Sequence, residues 1–385
     1  MRDLERFAAI DDLRRHARRR MPRFAFDWLE GGAESDANVR RNIRSFEDIP
    51  LVPRYLRKTD EITTETSLFE TRYAVPFGVA PIGHMNIAWP DSDVMMARLA
   101  ARQNIPVVAS TAGSTSLETY AEIAGENAWF QLYVSPVEDL TNMLLDRAEA
   151  AGMKVLVVTV DVSAPAKRDR DIRNGLRIPF QMTPSIFLDL AMHPRWSLTT
   201  LRAGAPGFGN HEEYWESAKT PFTVAERQAM LISRTFLWDD FKRIRERWKG
   251  KVLVKGLLHP DDAAEAVACG CDGIIVSNHG GRQADFAPSS IEALPAIAAV
   301  VGGSVPVMLD SGIRRGADIV RAKALGADFV FAGRAFAFGT AAAGEAGGQK
   351  AFDILSLELR TTLGQVGCAD FADVDSSVLW SAGSV

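Results

Sequence analysis

The segment SNHGGRQ, residues 277–283, sets His279 between an apolar run and two glycines, with Arg282 three positions on. An imidazole titrates near neutrality, which makes histidine the commonest general base. A lone loop histidine is usually just solvated or packed. Here the preceding run GIIVSN (273–278) reads as a buried strand, so His279 falls just past a strand end. Asp161, closing VLVVTVD (155–161), can face it and stabilise an imidazolium. Lys255, in KVLVKG (251–256), lies between the two in chain order. Arg168 stands seven residues after Asp161 in KRDRDIRN and pairs with Arg282 as a fork for a carboxylate; the other arginines of that run read as surface charge. Two further segments, DSGIRRG (310–316) and AGR (332–334), join Gly312 to Arg314 and Gly333 to Arg334. Glycine admits backbone N–H groups to an anion, arginine adds charge, and a following helix N-terminus adds its dipole, so both read as one phosphate grip. The remaining histidines, His16, His84, His193, His211 and His259, show no comparable context.

Elements far apart in the chain must bring these residues together. Eight apolar, β-rich runs recur: VPFGVAPIG (75–83), IPVVAST (105–111), AWFQLYV (128–134), VLVVTVD, KVLVKG, GIIVSN, VPVMLDSG (305–312) and FVFAGR (329–334). Near-continuous Val/Ile/Leu content suits parallel strands buried on both faces. Amphipathic helical patterns lie between most of them, as in DSDVMMARLAARQN (91–104) and RRGADIVRAKALG (314–326). Strand–helix alternation repeated eight times predicts an α/β chain folded as a (β/α)₈ TIM barrel over about 73–345. A doubly wound open sheet is the competitor, but no break divides the units into halves. Residues 1–60 predict an N-terminal helical extension, and residues 162–222, rich in Pro and Gly, a long insertion after strand 4. The whole, 1–385, reads as a single domain.

In a barrel of this kind the strand C-termini converge on one face. They carry Pro81, Ile82 and Gly83; Ser110; Gln131 and Tyr133; Thr159 and Asp161; Lys255; Ser277 and His279; Asp310 and Gly312; Gly333 and Arg334. The composition, 47% hydrophobic and 24% charged, is that of a globular protein, and a net charge of −5 excludes a nucleic-acid binder with a basic face. Cys269, Cys271 and Cys368 form neither a disulfide framework nor a zinc site, and no metal is expected. The first residues lack the apolar run of a secretory signal, and no stretch reaches the roughly 18 apolar residues of a membrane span, so a cytoplasmic location is expected.

SNHGGRQ, FQLYV, TVD with Arg168 downstream, LVKG, DSGIRRG and AGR, in that set, resemble the FMN-dependent L-2-hydroxy acid oxidase and dehydrogenase family. The likeness runs over about residues 5–375, includes FDWLEGGAESD, and is greatest to the family's (S)-mandelate dehydrogenases, through VLVKGLL, LDSGIRRGADIV and HPRWSL. The resemblance implies FMN on the barrel mouth. Its phosphate would meet Gly312, Arg314, Gly333 and Arg334. Its ring would meet Pro81, Ile82, Gly83, Ser110, Gln131, Thr159 and Lys255, with Ser277 and Asp310 completing the cofactor set. Lys255 would stabilise the negative charge of the reduced ring. Arg168 and Arg282 would hold the substrate carboxylate, Tyr133 would hydrogen-bond the substrate, and His279, backed by Asp161, would take a proton.

Three positions bear on substrate and electron acceptor. The family's glycolate oxidases carry Trp after the second strand where this chain has Ala112, which leaves room for a bulky or aromatic group. Gly83 stands where oxidases have Ala, which implies a non-oxygen acceptor such as quinone; an O₂-using oxidase or an L-lactate dehydrogenase is the alternative, and a non-oxidative flavin isomerase a remote one. Trp28 replaces a Tyr that contacts the substrate carboxylate. In membrane-bound relatives the insertion lies on the inner face of the cytoplasmic membrane. Here Ile186, Phe187, Leu188, Leu190, Met192 and Trp196, with Arg195 and Arg202, are compatible with such an interfacial segment, or with a lid packed on the barrel or a neighbouring subunit. A homotetramer is expected.

Overall fold

The computed structural model describes residues 4–176, 182–204, 207–217, 223, 226–227 and 230–380. Eight parallel strands close into a barrel in chain order: β1 (Phe77–Val79), β2 (Val107–Ser110), β3 (Ala128–Leu132), β4 (Val155–Thr159), β5 (Lys251–Leu257), β6 (Gly273–Val276), β7 (Val307–Leu309) and β8 (Phe329–Ala332), with β8 returning to pair with β1. Every residue of β2, β3, β4, β6 and β8 is buried, which is why their sequences show no alternation. One apolar cluster fills the barrel and a second joins its outer face to the helices.

The helices packed outside are α1 (Ser92–Gln103), α2 (Leu117–Ala124), α3 (Glu138–Ala150), α4 (Trp238–Arg247), α5 (Pro260–Ala268), α6 (Ser290–Val301), α7 (Gly316–Ala324) and α8 (Arg334–Ala343). Their ends follow ordinary local chemistry. Ser116 caps α2 by accepting from Thr119 N, Pro260 occupies the first turn of α5, and Gly302 ends α6 in the left-handed region.

Two features differ from expectation. A hairpin, Thr66–Leu68 paired with Thr71–Tyr73, precedes β1 and packs under the barrel. Its two-residue turn is Phe69-Glu70, both at positive φ, the backbone of a type I′ turn without the Asn-Gly that signals one. The insertion, for which the sequence pattern assigns no elements, contains helices Asp169–Arg173, Pro184–Met192, Pro194–Ala203 and Glu212–Ser217. Its stretches 177–181, 205–206 and 218–222 lie outside the described residues. Ile186 and Trp196 are buried rather than offered outward, and Trp196 donates its indole N–H to the Ala88 carbonyl. Phe187, Leu188 and Met192, by contrast, are exposed.

Candidate active site

The strand C-termini open into one cavity. Its walls include Trp28, Pro81, Ile82, Gly83, Gln131, Tyr133, Thr159, Arg168, Lys255, His279, Arg282, Asp310, Gly312, Arg314, Gly333 and Arg334. Three of the residues singled out in the sequence stand behind this wall. Ser110 donates to Gln131 Oε1 (3.1 Å), Ser277 accepts from Lys255 Nζ (2.9 Å), and Asp161 meets His279.

His279 sits in a hydrogen-bonded chain. Its Nδ1 donates to Asp161 Oδ1 at 2.8 Å, and the Tyr133 hydroxyl lies 3.1 Å from its Nε2. Burial pushes the Asp161 carboxyl up, but the charge and hydrogen bond of His279, with Lys255 beyond, more than offset it and hold the group below its ordinary range. Asp161 therefore stays ionised and fixes the tautomer, leaving Nε2 as the basic atom. Burial drives the Tyr133 hydroxyl well up, so it remains a proton donor. The contact between Asp161 and β5 depends on Gly256, at φ 111°, where the β5–β6 register shifts. A Cβ there would fall 2.7 Å from Asp161 Cβ, so only glycine lets the carboxylate lie against that strand.

Lys255 is buried and paired to Asp310 Oδ2 at 3.2 Å. The arginines differ. Among the described residues none of Arg168, Arg282, Arg314 and Arg334 has a carboxylate within ion-pair distance. Arg282 donates to the carbonyls of Trp28 (2.7 Å) and Gly31 (2.8 Å) and lies 5.4 Å from the Trp28 ring. Arg334 donates to the carbonyls of Leu29, Gly280 and Gly31, and Arg314 to that of Ile313. Burial, then neighbouring Arg168 and Arg334, push Arg282 well below the usual guanidinium range. Burial is also the first cause that takes Arg314 down to about 10 and Arg334 to about 9. A guanidinium does not lose its proton in a protein. A bound anion would relieve that pressure, and the cations form two groups: Arg314 and Arg334 beside Gly312 and Gly333, and Arg168 with Arg282 on the His279 side of the cavity.

Two polar atoms of the wall, Gln131 Nε2 and Thr159 Oγ1, are buried without a partner among the described residues. Such orphans are uncommon, and both suit a polar ligand bound against this wall. A flat heterocycle with ring nitrogens and oxygens, carrying a phosphate, fits the orphans, the buried Lys255 ammonium and the arginine pair.

A scaffold that the sequence barely signals holds the N-terminal segment on the mouth. Arg170, one of the arginines read as surface charge, binds Asp36 (2.6 Å), Glu30 (2.8 Å) and Asp27 (3.3 Å). Asn278 joins Asn38 and Asn42 by buried side-chain bonds. Gly32 meets Gly281 so closely that a Cβ on Gly32 would lie 2.4 Å from the Gly281 carbonyl. The double glycines of EGGAE and NHGGR were the available signal for this backbone contact.

Comparison with known proteins follows the same lines. The family model for FMN-dependent dehydrogenases matches residues 17–381. An (S)-mandelate dehydrogenase of Pseudomonas putida is 38% identical over 378 residues, 97% of this chain and 94% of the relative. An L-lactate dehydrogenase of Pectobacterium atrosepticum is 39% identical over 373 residues, 97% of this chain and 96% of the relative. Among solved structures, the monotopic membrane protein (S)-mandelate dehydrogenase superposes with a TM-score of 0.92 at 36% identity, covering 97% of this chain and 99% of its own.

Proposed function

This chain belongs to the FMN-dependent dehydrogenase family, and from that premise we propose that it oxidises an L-2-hydroxy acid with a bulky or aromatic side chain, such as (S)-mandelate, to the 2-oxo acid, passing electrons to a non-oxygen acceptor such as quinone. One observation carries the reading: a proton acceptor, His279 Nε2, shares a cavity with two carboxylate-free arginines, Arg168 and Arg282.

Bound FMN supplies a two-electron acceptor. Gly312, Arg314, Gly333 and Arg334 hold its phosphate. Pro81, Ile82, Gly83, Gln131, Thr159 and Lys255 hold its ring, with Ser110, Ser277 and Asp310 orienting Gln131 and Lys255. Arg168 and Arg282 bind the substrate carboxylate, and the Trp28 ring packs against Arg282. Tyr133 hydrogen-bonds the substrate beside the reacting carbon. His279 Nε2 takes a proton from the substrate, and Asp161 stabilises the imidazolium through Nδ1.

A bulky side chain is supported by Ala112, which presents only a methyl to the cavity. A membrane-side acceptor is supported by the insertion. Phe187, Leu188, Met192, Leu198 and Leu201 are exposed on its two consecutive helices, as a monolayer-seated surface requires. No helix of the described residues is long and apolar enough to cross a membrane, and the proposed contact is a peripheral one, on the cytoplasmic side. The test is anaerobic bleaching of the flavin by a panel of 2-hydroxy acids, (S)-mandelate and L-lactate first, followed by air. Rapid bleaching by mandelate and slow recovery in air are expected. No bleaching by any 2-hydroxy acid would discard the reading, and rapid recovery with peroxide release would move it to an oxidase.

A further inference from the structure

Just past β1 the chain turns at His84, whose φ of 50° lies in the left-handed region. A non-glycine residue rarely adopts it, and such outliers gather at functional sites. His84 shares it with His279 and Ser311, and all three line the cavity. The His84 N–H donates to the Ala112 carbonyl (2.9 Å), and Phe208 of the insertion meets its ring edge-on, with centroids 4.2 Å apart. Phe208 is itself anchored through its neighbours, since Gly209 N donates to Gly113 O (3.1 Å) and Asn210 Nδ2 to Ser110 O (3.0 Å). The imidazole is thus held on the cavity wall rather than free to swing. Among the described residues neither of its ring nitrogens has a hydrogen-bond partner, yet neither is sealed from open space, unlike Nδ1 of nearby His211.

Resting on the hydroxy-acid reading above, we infer that His84 is a specificity-determining residue whose imidazole hydrogen-bonds a hydroxyl on the substrate's side chain, selecting hydroxylated aromatic 2-hydroxy acids over their unsubstituted counterparts. With the carboxylate on Arg168 and Arg282 and the reacting carbon at His279, the side chain extends to the remaining wall, where Ala112 leaves space and His84 stands beside it. Burial, and then the positive charge of Arg168, hold His84 down to about 4. The ring is therefore neutral at working pH, with one nitrogen donating and one accepting. That complements a phenol, which does both, and gives no charge to attract a second carboxylate.

The test compares kcat/KM for anaerobic flavin reduction on the FMN-loaded full chain, using mandelate against 3- and 4-hydroxymandelate, in the parent, His84→Leu and His84→Asn. The better hydroxylated isomer is expected to exceed mandelate by about tenfold in the parent, the worth of one well-placed hydrogen bond. His84→Leu is expected to bring the ratio to about one. His84→Asn, which tolerates the backbone and keeps a polar end, is expected to retain part of it. A parent ratio at or below one overturns the inference, and it decides alone if His84→Leu fails to hold FMN. A ratio unmoved by His84→Leu overturns it too while leaving the hydroxy-acid reading intact. A parent that no 2-hydroxy acid reduces removes both.

Discussion

The two ends of the barrel are built on opposite principles. At the C-terminal end lie half-buried arginines without carboxylate partners among the described residues, orphaned amide and hydroxyl groups, and residues in the left-handed backbone region. Each such feature works against stability. At the N-terminal end the interior is a cluster of tilted and edge-on aromatic rings. Trp129 and Phe331 lie 5.4 Å apart between ring centroids, Phe329 and Phe331 5.4 Å, and Tyr73 closes on Phe329 at 5.8 Å from the hairpin below. Phe331 belongs to both regions, filling the aromatic cluster and flooring the cavity. Stability is concentrated where no chemistry occurs, which lets the mouth hold groups in states that only a cofactor and substrate satisfy.

The largest effect separating the two ends should come from the mouth. His279→Gln is expected to keep its FMN and its melting temperature but lose at least about 10³-fold in kcat, the scale of a lost general base. Steady-state turnover near the parent's would take His279 out of the mechanism. At the other end, Trp129→Ala should cost about 3–5 kcal/mol of folding stability, as a large aromatic leaves a cavity in a packed floor. Urea unfolding reads this, and the folded fraction should turn over as the parent does. A cost below about 1 kcal/mol would mean that the aromatic cluster is not what anchors the barrel.

Arg282→Lys should lower kcat/KM by about 100-fold with FMN binding retained, because an ammonium cannot reproduce the fork. Unchanged kinetics would dismiss the carboxylate clamp. A smaller effect concerns pH. Asp93 is fully buried at the start of α1, where it accepts from Ser114 N (3.1 Å) and Thr115 N (3.3 Å) of the loop after β2. Burial raises its carboxyl from 3.8 to about 6 despite those bonds. The folded chain holds this proton more tightly than the unfolded one, so the group favours folding at low pH. That advantage is lost as pH rises from 3.8 through about 6. In Asp93→Asn the melting temperature should rise relative to the parent's over that window, and parallel curves would show that Asp93 ionises as an ordinary carboxyl does.

Much of the comparison was legible in the residues. The eight runs could be read because parallel strands buried on both faces leave an unbroken apolar signature. The mouth could be read because SNHGGR, DSGIRRG and AGR put unusual residues at strand ends. Long-range contacts away from the strand ends were not legible. Nothing in KRDRDIRN distinguishes Arg170, which ties three acidic residues of the N-terminal segment, from Arg173, which pairs with its near neighbour Asp169. The hairpin was hidden because Phe69 and Glu70 take a turn conformation that their side chains do not advertise. The sequence around His84 does not mark it, because its significance comes from Phe208 and Ala112, which the fold brings to it from elsewhere in the chain. Helices in the insertion were obscured by prolines, which in Pro184 and Pro194 turned out to start helices rather than to prevent them.

The central claim, that distant segments build one cavity for flavin and hydroxy acid together, is tested most directly by a crystal structure of the protein with FMN and a 2-oxo acid product. The account predicts the phosphate on Gly312, Arg314, Gly333 and Arg334, the ring against Gln131, Thr159 and Lys255, and the product carboxylate on Arg168 and Arg282 with His279 Nε2 facing the 2-oxo group. A phosphate bound elsewhere, or a product carboxylate on the far side of the flavin from His279, would contradict it.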